Sequence, residues 1–117
     1  MYKEMADKLV AALRSGKYLQ TKGSLQKSNR NCCLGVACRV AGLKAKGVRT
    51  PRFLGESSFL PFEIMEKFGF YSKGGARRDG QGLLINNTTY GSLAIANDYG
   101  VKFNDIADYI EKNYEVL

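Results

Sequence analysis

The stretch from Asn31 to Leu43, Asn31-Cys32-Cys33-Leu34-Gly35-Val36-Ala37-Cys38-Arg39-Val40-Ala41-Gly42-Leu43, limits what this chain can fold into more than any other. It is apolar on nearly every side, and Arg39 is its only charge. A helix that is hydrophobic all round belongs in the middle of a domain, because a surface helix needs a polar face. Asn29 or Asn31 offers an N-cap side chain, and Gly42 suits the left-handed position just past the helix end. Gly35 inside the helix lowers stability unless another segment packs close against it. All three cysteines sit in this stretch. An odd number, clustered on one helix, reads as buried free thiols acting as small hydrophobes. Cys32 and Cys33 point different ways, and Cys38 is poorly placed for a bridge within the same helix.

The helix needs partners, and 117 residues supply one domain's worth. A hydrophobic share of 44%, with 13 glycines and 2 prolines, fits an ordinary globular chain and excludes disorder. No apolar run reaches the length of a membrane span, and the first residues lack a secretory signal's apolar segment. The expected location is the cytoplasm.

Met5, Leu9, Ala12 and Leu13 share one face, predicting an amphipathic helix over residues 3–14 that Ser15-Gly16 stops. Tyr18 to Leu25 reads as extended or hairpin, and Lys27-Ser28-Asn29-Arg30 as a cationic turn into the core helix. Lys44 to Arg52 is a basic connector, with room for a short edge strand at Val48-Arg49-Thr50 beside Pro51. Ser57 or Ser58 precedes a helix over residues 59–68, whose Leu60, Ile64, Met65 and Phe68 share a face and which Gly69 ends. Tyr71 to Gly82 holds four glycines and three cations and reads as a mobile loop. Leu83-Leu84-Ile85 is a strand. One of Asn86, Asn87, Thr88 and Thr89 is expected to cap a helix over residues 91–97. Phe103, Ile106, Ala107, Ile110 and Tyr114 mark the last helix. The expected fold is therefore a single α+β domain of four or five helices with a small sheet of two or three strands.

Charge is distributed unevenly around a net +7. Between Asp7 and Glu56 there is no acid, against eleven cations: Lys8, Arg14, Lys17, Lys22, Lys27, Arg30, Arg39, Lys44, Lys46, Arg49 and Arg52. From Asp98 onward acids prevail, with Asp98, Asp105, Asp108, Glu111 and Glu115 against Lys102 and Lys112. Such asymmetry points to an anionic partner, or else to an acidic C-terminal helix folding back over the basic half.

The run Cys32-Cys33-Leu34-Gly35-Val36-x-Cys38 occurs together with Asn97-Asp98-x-Gly100-x-x-Phe103-x-x-Ile106-Ala107-Asp108-x-Ile110. With Ala12-Leu13-Arg14-Ser15-Gly16-Lys17-Tyr18 and Gly23-x-Leu25, this pattern resembles a family of small, uncharacterised bacteriophage and prophage proteins. The likeness covers both ends and the core helix, leaving Lys44 to Thr89 essentially unmatched. The chain departs from the family pattern at Lys102 and Arg39, both times toward positive charge. The resemblance implies a phage context, in which small accessory proteins disarm host enzymes or defences, and implies no reaction.

Histidine is absent. Ser-His-Asp and Cys-His catalysis, imidazole zinc sites and the commonest neutral-pH base go with it. Arg30 and the helix N-terminus would favour thiolates at Cys32 and Cys33, but no base partner is visible. Asp105 and Asp108 read as first-turn acids of the last helix. Asn97-Asp98 reads equally as a ligand-lining pair or a polar turn between helices. The glycine-rich loop lacks the P-loop pattern, yet Lys73, Arg77 and Arg78 within it suit an anion, and Tyr71 and Tyr18 offer faces for bases. No nucleic-acid-binding module signature is present. The expected function is non-enzymatic binding of an anionic ligand, a nucleotide-like molecule or nucleic acid, without cofactor, metal or membrane. The expected binding residues are Arg14, Lys17, Lys22, Lys27, Arg30, Arg49, Arg52, Lys73, Arg77 and Arg78. The alternative is an interaction module that inhibits a host enzyme through that enzyme's acidic surface.

Overall fold

The computed structural model describes residues 1–117. Helix α1 spans Lys3–Arg14, with Ala6, Leu9, Val10 and Leu13 buried along one stripe. Helix α5, Phe103–Asn113, buries Phe103, Ile106, Ala107, Tyr109 and Ile110. The two stripes face each other, and this is the most extensive helix pairing of the domain. The core helix α2, Cys33–Val40, lies against α1, and α4, Leu93–Asp98, lies against both α2 and α5. Helix α3, Phe62–Phe68, completes the set of five by packing on α1. The buried apolar residues of all five form one cluster.

Two small sheets flank the helices. Strands β1 (Leu19–Gln20), β2 (Gln26–Lys27) and β3 (Arg30–Asn31) form one in the order β1-β3-β2, with β1 parallel and β2 antiparallel to β3. Strands β4 (Leu83–Ile85) and β5 (Thr88–Tyr90) form an antiparallel pair. This is the α+β domain that the sequence pattern predicts, with two sheets where one was expected.

Helix α2 is as buried as its sequence demands: Leu34, Val36, Ala37 and Cys38 have no solvent exposure. Its N-cap is Cys32, whose Sγ accepts from the Gly35 N–H at 3.4 Å. The expected caps are elsewhere: Asn29 lies in the β2–β3 turn, and Asn31 pairs with Gln20 and Gln26 in the sheet. Gly42 does take the left-handed conformation, at φ 90°. The packing reason for Gly35 is a crossing chain. A β-carbon there would sit 1.9 Å from the Leu25 carbonyl oxygen, which itself accepts from the Cys32 N–H at 3.0 Å.

Three local expectations give way to stronger local forces. Helix α3 begins at Phe62, without a serine cap, because proline holds the residue before it extended. Pro61 stands at ψ 146°, outside the helix, and Leu60 before it donates to the Lys73 carbonyl at 3.0 Å. Val48-Arg49-Thr50 forms a bend and no strand; the pairing falls on its flanks, where Lys46 and Arg52 form an antiparallel bridge. Asn86 and Asn87, at φ 52° and 65°, make the two-residue turn joining β4 to β5, so the α4 cap falls to Ser92, whose Oγ accepts from Ile95 N–H at 3.2 Å.

A buried amide ties these parts together. Asn97 has no solvent exposure; its Oδ1 accepts from the Cys33 N–H at 3.1 Å and from Gln20 Nε2 at 2.9 Å. Its Nδ2 donates to the Thr21 carbonyl at 2.8 Å. One side chain thus joins α4, the first turn of α2 and strand β1, which settles Asn97 as part of the structural turn.

The Gly35 crossing yields the first prediction. Alanine favours a helix over glycine by about 1 kcal/mol, but the clash with Leu25 must displace backbone. Gly35→Ala is expected to destabilise the domain by about 3 kcal/mol or more, measured as the shift in the urea unfolding midpoint.

Candidate functional site

The acid-free half of the chain produces one concentrated basic surface, and hydrogen bonding in its backbone explains where it falls. Strands β2 and β3 close a tight hairpin whose cross-strand partners are Lys27 and Arg30. The bridge in the following loop pairs Lys46 with Arg52, through Lys46 N–H to Arg52 O at 2.9 Å and Arg52 N–H to Lys46 O at 2.8 Å. Ser28 at the hairpin tip donates its N–H to the Arg49 carbonyl at 3.2 Å, joining the two turns. The result is two like-charged pairs, each held face to face by backbone pairing, with Arg49 between them. All five side chains are exposed, and none forms an ion pair. Like charges directly opposite one another on paired strands cost roughly 0.2–1 kcal/mol per pair.

Beside the second pair lies a groove of about 360 Å³ lined by Leu43, Lys44, Lys46, Arg52, Leu54 and Gly55. Arg52 Nη1 donates to the Gly55 carbonyl at 3.1 Å, which orients the guanidinium over this rim. Glu56 is exposed nearby, but its carboxylate pairs with none of these cations.

The ten residues expected from the sequence divide into three groups. Lys27, Arg30, Arg49 and Arg52 are gathered on the joined turns, where Lys44 and Lys46 accompany them. Lys17, Lys22 and Lys73 are exposed and unpaired but lie outside those turns; Lys17 sits 5.5 Å from the Tyr18 ring centre, and Lys22 lies beside Gly100. Arg14, Arg77 and Arg78 are engaged within the fold. Packing of α1 on α5 lays Arg14 across Asp108 at 2.6 Å and Glu111 at 2.9 Å, and the guanidinium holds the Glu111 carboxyl below its ordinary range. Arg77 grips Asp79 at 2.6 Å and the Tyr109 hydroxyl at 3.0 Å, driving Asp79 down to about 2. Arg78 donates to the Gly69 carbonyl at 2.9 Å and covers the Tyr71 ring.

The glycine-rich loop is therefore a fixed strap. Leu93 and Ala94 N–H groups donate to the carbonyls of Gly75 and Gly74, and Arg78 N–H donates to Val116 O. Arg78 lies over the Tyr71 ring, which is otherwise exposed, and both Lys17 and Arg39 approach the Tyr18 ring. Asp108 falls in the second turn of α5, bound to Arg14, while Asp105 in the first turn accepts from Asn86 Nδ2 at 3.1 Å. Asp98 Oδ1 accepts from the Gly23 N–H at 2.8 Å. No three Cys, Asp or Glu side chains converge on a common point.

The thiols serve the core. Burial pushes Cys32 up to about 11 and Cys38 up to about 12, and raises Cys33 well above the ordinary thiol range, with Cys32 adding to the rise. Burial outweighs the helix N-terminus, which alone would favour the thiolate.

In architecture, then, this is a small α+β domain with a basic double turn on one surface. The chain belongs to the family described as Domain of unknown function (DUF8296), whose model matches residues 1–114. No curated protein and no solved structure matches it. No helix is long and apolar enough to cross a membrane.

Sequence reasoning passed over Lys44 and Lys46 as site residues. The available signal was a pair of cations bracketing the tight Gly47–Pro51 segment, which places Lys46 opposite Arg52. The state of the thiols gives a second prediction. In the native protein at pH 8 all three are expected to resist a thiol-specific disulfide reagent and to react together when denaturant unfolds the chain. Rapid labelling of one thiol in native buffer would contradict the burial argument.

Proposed function

We propose that this is a non-enzymatic, phage-type accessory protein that binds an anionic ligand, nucleic acid or a nucleotide-like molecule, through Lys27, Arg30, Lys44, Lys46, Arg49 and Arg52. The observation that carries the reading is the pair of opposed cations, Lys27 with Arg30 and Lys46 with Arg52, fixed by backbone pairing without any acid between them. Folding gains nothing from that arrangement, and an anion laid across it removes the repulsion. Arg14 and Arg77 show how this fold treats cations it uses internally: each is given a carboxylate. None of the six on the double turn is given one, and Arg52 meets only the Gly55 carbonyl. The phage setting rests on the motif resemblance of both ends and the core helix; in that setting the bound ligand would be one that a host enzyme or defence system uses.

Phosphate contacts through exposed lysine and arginine are strong at low salt and weaken steeply as counterions compete. The test is fluorescence anisotropy with labelled single-stranded DNA, single-stranded RNA, duplex DNA and a nucleoside triphosphate. If six contacts form on a single strand, affinity is expected to fall by about 300-fold between roughly 50 and 200 mM salt. Replacing Lys46 and Arg52 together by glutamine is expected to weaken binding and flatten the salt slope by about one to two contacts' worth. Absence of binding to any of these at low salt contradicts the reading. A protein recovered from nuclease-treated bacterial lysate, in place of nucleic acid, would also overturn it and favour an acidic protein surface as the target.

A further inference from the structure

Leu54 stands in a conformation that its residue type resists. It and Gly55 are the central pair of the tight turn closed by Phe53 and Glu56, at φ 50° and 86°. A two-residue turn with both central residues at positive φ is normally built from asparagine, aspartate or glycine. The same protein uses Asn86-Asn87 for its β4–β5 turn, at φ 52° and 65°. Leucine in this region clashes with its own backbone, and only something gained elsewhere keeps it there. Burial is not that gain, because Leu54 is 56% exposed. What the strain secures is position: Leu54 forms one apolar wall of the 360 Å³ groove, with Leu43 among its lining residues and Lys44, Lys46 and Arg52 as its cations.

We propose that this groove receives an unstacked base of a single-stranded nucleic acid, which lies against Leu54 while Lys44, Lys46 and Arg52 hold the flanking phosphates. The inference rests on the anion-binding reading above and names its ligand. A strand uses the whole surface, since its phosphates continue past the groove toward Arg49 and the Lys27–Arg30 pair; a free nucleotide has too few phosphates to do so. A duplex keeps its bases stacked and paired and offers none to the groove. An apolar wall with cations around it suits a base of any identity, so little sequence preference follows.

The experiment compares a 12-nucleotide oligo-dT with an abasic strand of the same length and phosphate count, at one low salt concentration. The wild-type protein is expected to bind oligo-dT about tenfold more tightly than the abasic strand, through the apolar surface that the base and Leu54 cover, and more tightly than duplex DNA. Leu54→Asn copies the protein's own Asn86 solution to the turn, and Leu54→Gly is a second way to relieve it. Both variants are expected to melt a few degrees higher and to lose most of the preference for oligo-dT, while keeping the wild type's affinity for the abasic strand. A gain in stability together with a loss of base preference separates a binding role from a structural one. If wild type and Leu54→Asn prefer oligo-dT equally, the groove proposal fails while anion binding stands. If no strand binds at all, the groove proposal fails, and the anion-binding reading fails with it when the nucleoside triphosphate is not bound either. Binding to anionic phospholipid vesicles that depends on Leu54, with none to oligo-dT, would overturn the proposal in favour of a membrane surface.

Discussion

The side-chain amide of Asn97 is the joint on which the arrangement turns. It is fully buried, so each of its hydrogen bonds stands in for water that is no longer there, and losing one leaves a polar group unpaired at a cost of roughly 1–3 kcal/mol. Its bonds to Cys33, Gln20 and Thr21 fix the first turn of α2 relative to β1 and α4. Strand β3 runs directly into α2 and pairs with β1, so the placement of α2 is also the placement of the β2–β3 hairpin. The Ser28–Arg49 bond carries that placement one step further, to the second basic turn. A buried neutral amide thereby positions an exposed charged surface.

Much of this architecture was legible in the residues. The stripe of α5 falls on Phe103, Ile106, Ala107 and Ile110 as the spacing predicts, though the helix ends at Asn113, before Tyr114. That of α1 keeps Leu9 and Leu13 but buries Ala6 and Val10 more deeply than Met5 and Ala12, because the face turned to α5 is rotated slightly from the predicted one. Burial is what such a stripe records. The uniform apolarity of Cys33 to Cys38 announced a central helix for the same reason. Capping was less legible. Cys32 caps α2 with a weakly accepting sulfur because the better candidate, Asn31, is consumed by sheet pairing. Asn86-Asn87 has the composition of a cap and the conformation of a hairpin turn, and only its β4–β5 pairing distinguishes the two. The strap from Tyr71 to Gly82 has a linker's composition, yet is fixed by carbonyls that its glycines expose to neighbouring backbone.

The candidate site was legible as a charge imbalance and illegible as a shape. Nothing local tells Arg14 from Arg30. The first is neutralised by carboxylates 94 and 97 residues away, a fact of α1–α5 packing. The second stands opposite Lys27 because a two-residue turn sets that register. Leu54 is the least legible of all. Leu-Gly between two pairing residues is a turn signal, but its cost shows only in the dihedral angle. Local rules are broken at this basic surface three times, by opposed like charges, by Leu54 at positive φ and by Ser28 at φ 54° on the hairpin tip. Where local preference and fold disagree without compensation in packing, function is the usual reason.

The central claim is that the double turn carries uncompensated repulsion in the folded state. It is tested most directly by thermal unfolding of Lys27→Gln and Lys46→Gln beside the wild type, at about 20 mM and about 1 M salt, where screening lengths differ several-fold. Removing one cation from each opposed pair is predicted to raise the midpoint by a few degrees at low salt, with the gain disappearing at high salt. Midpoints that are unchanged or lower at low salt would show that the cations are already compensated within the fold and contradict the account.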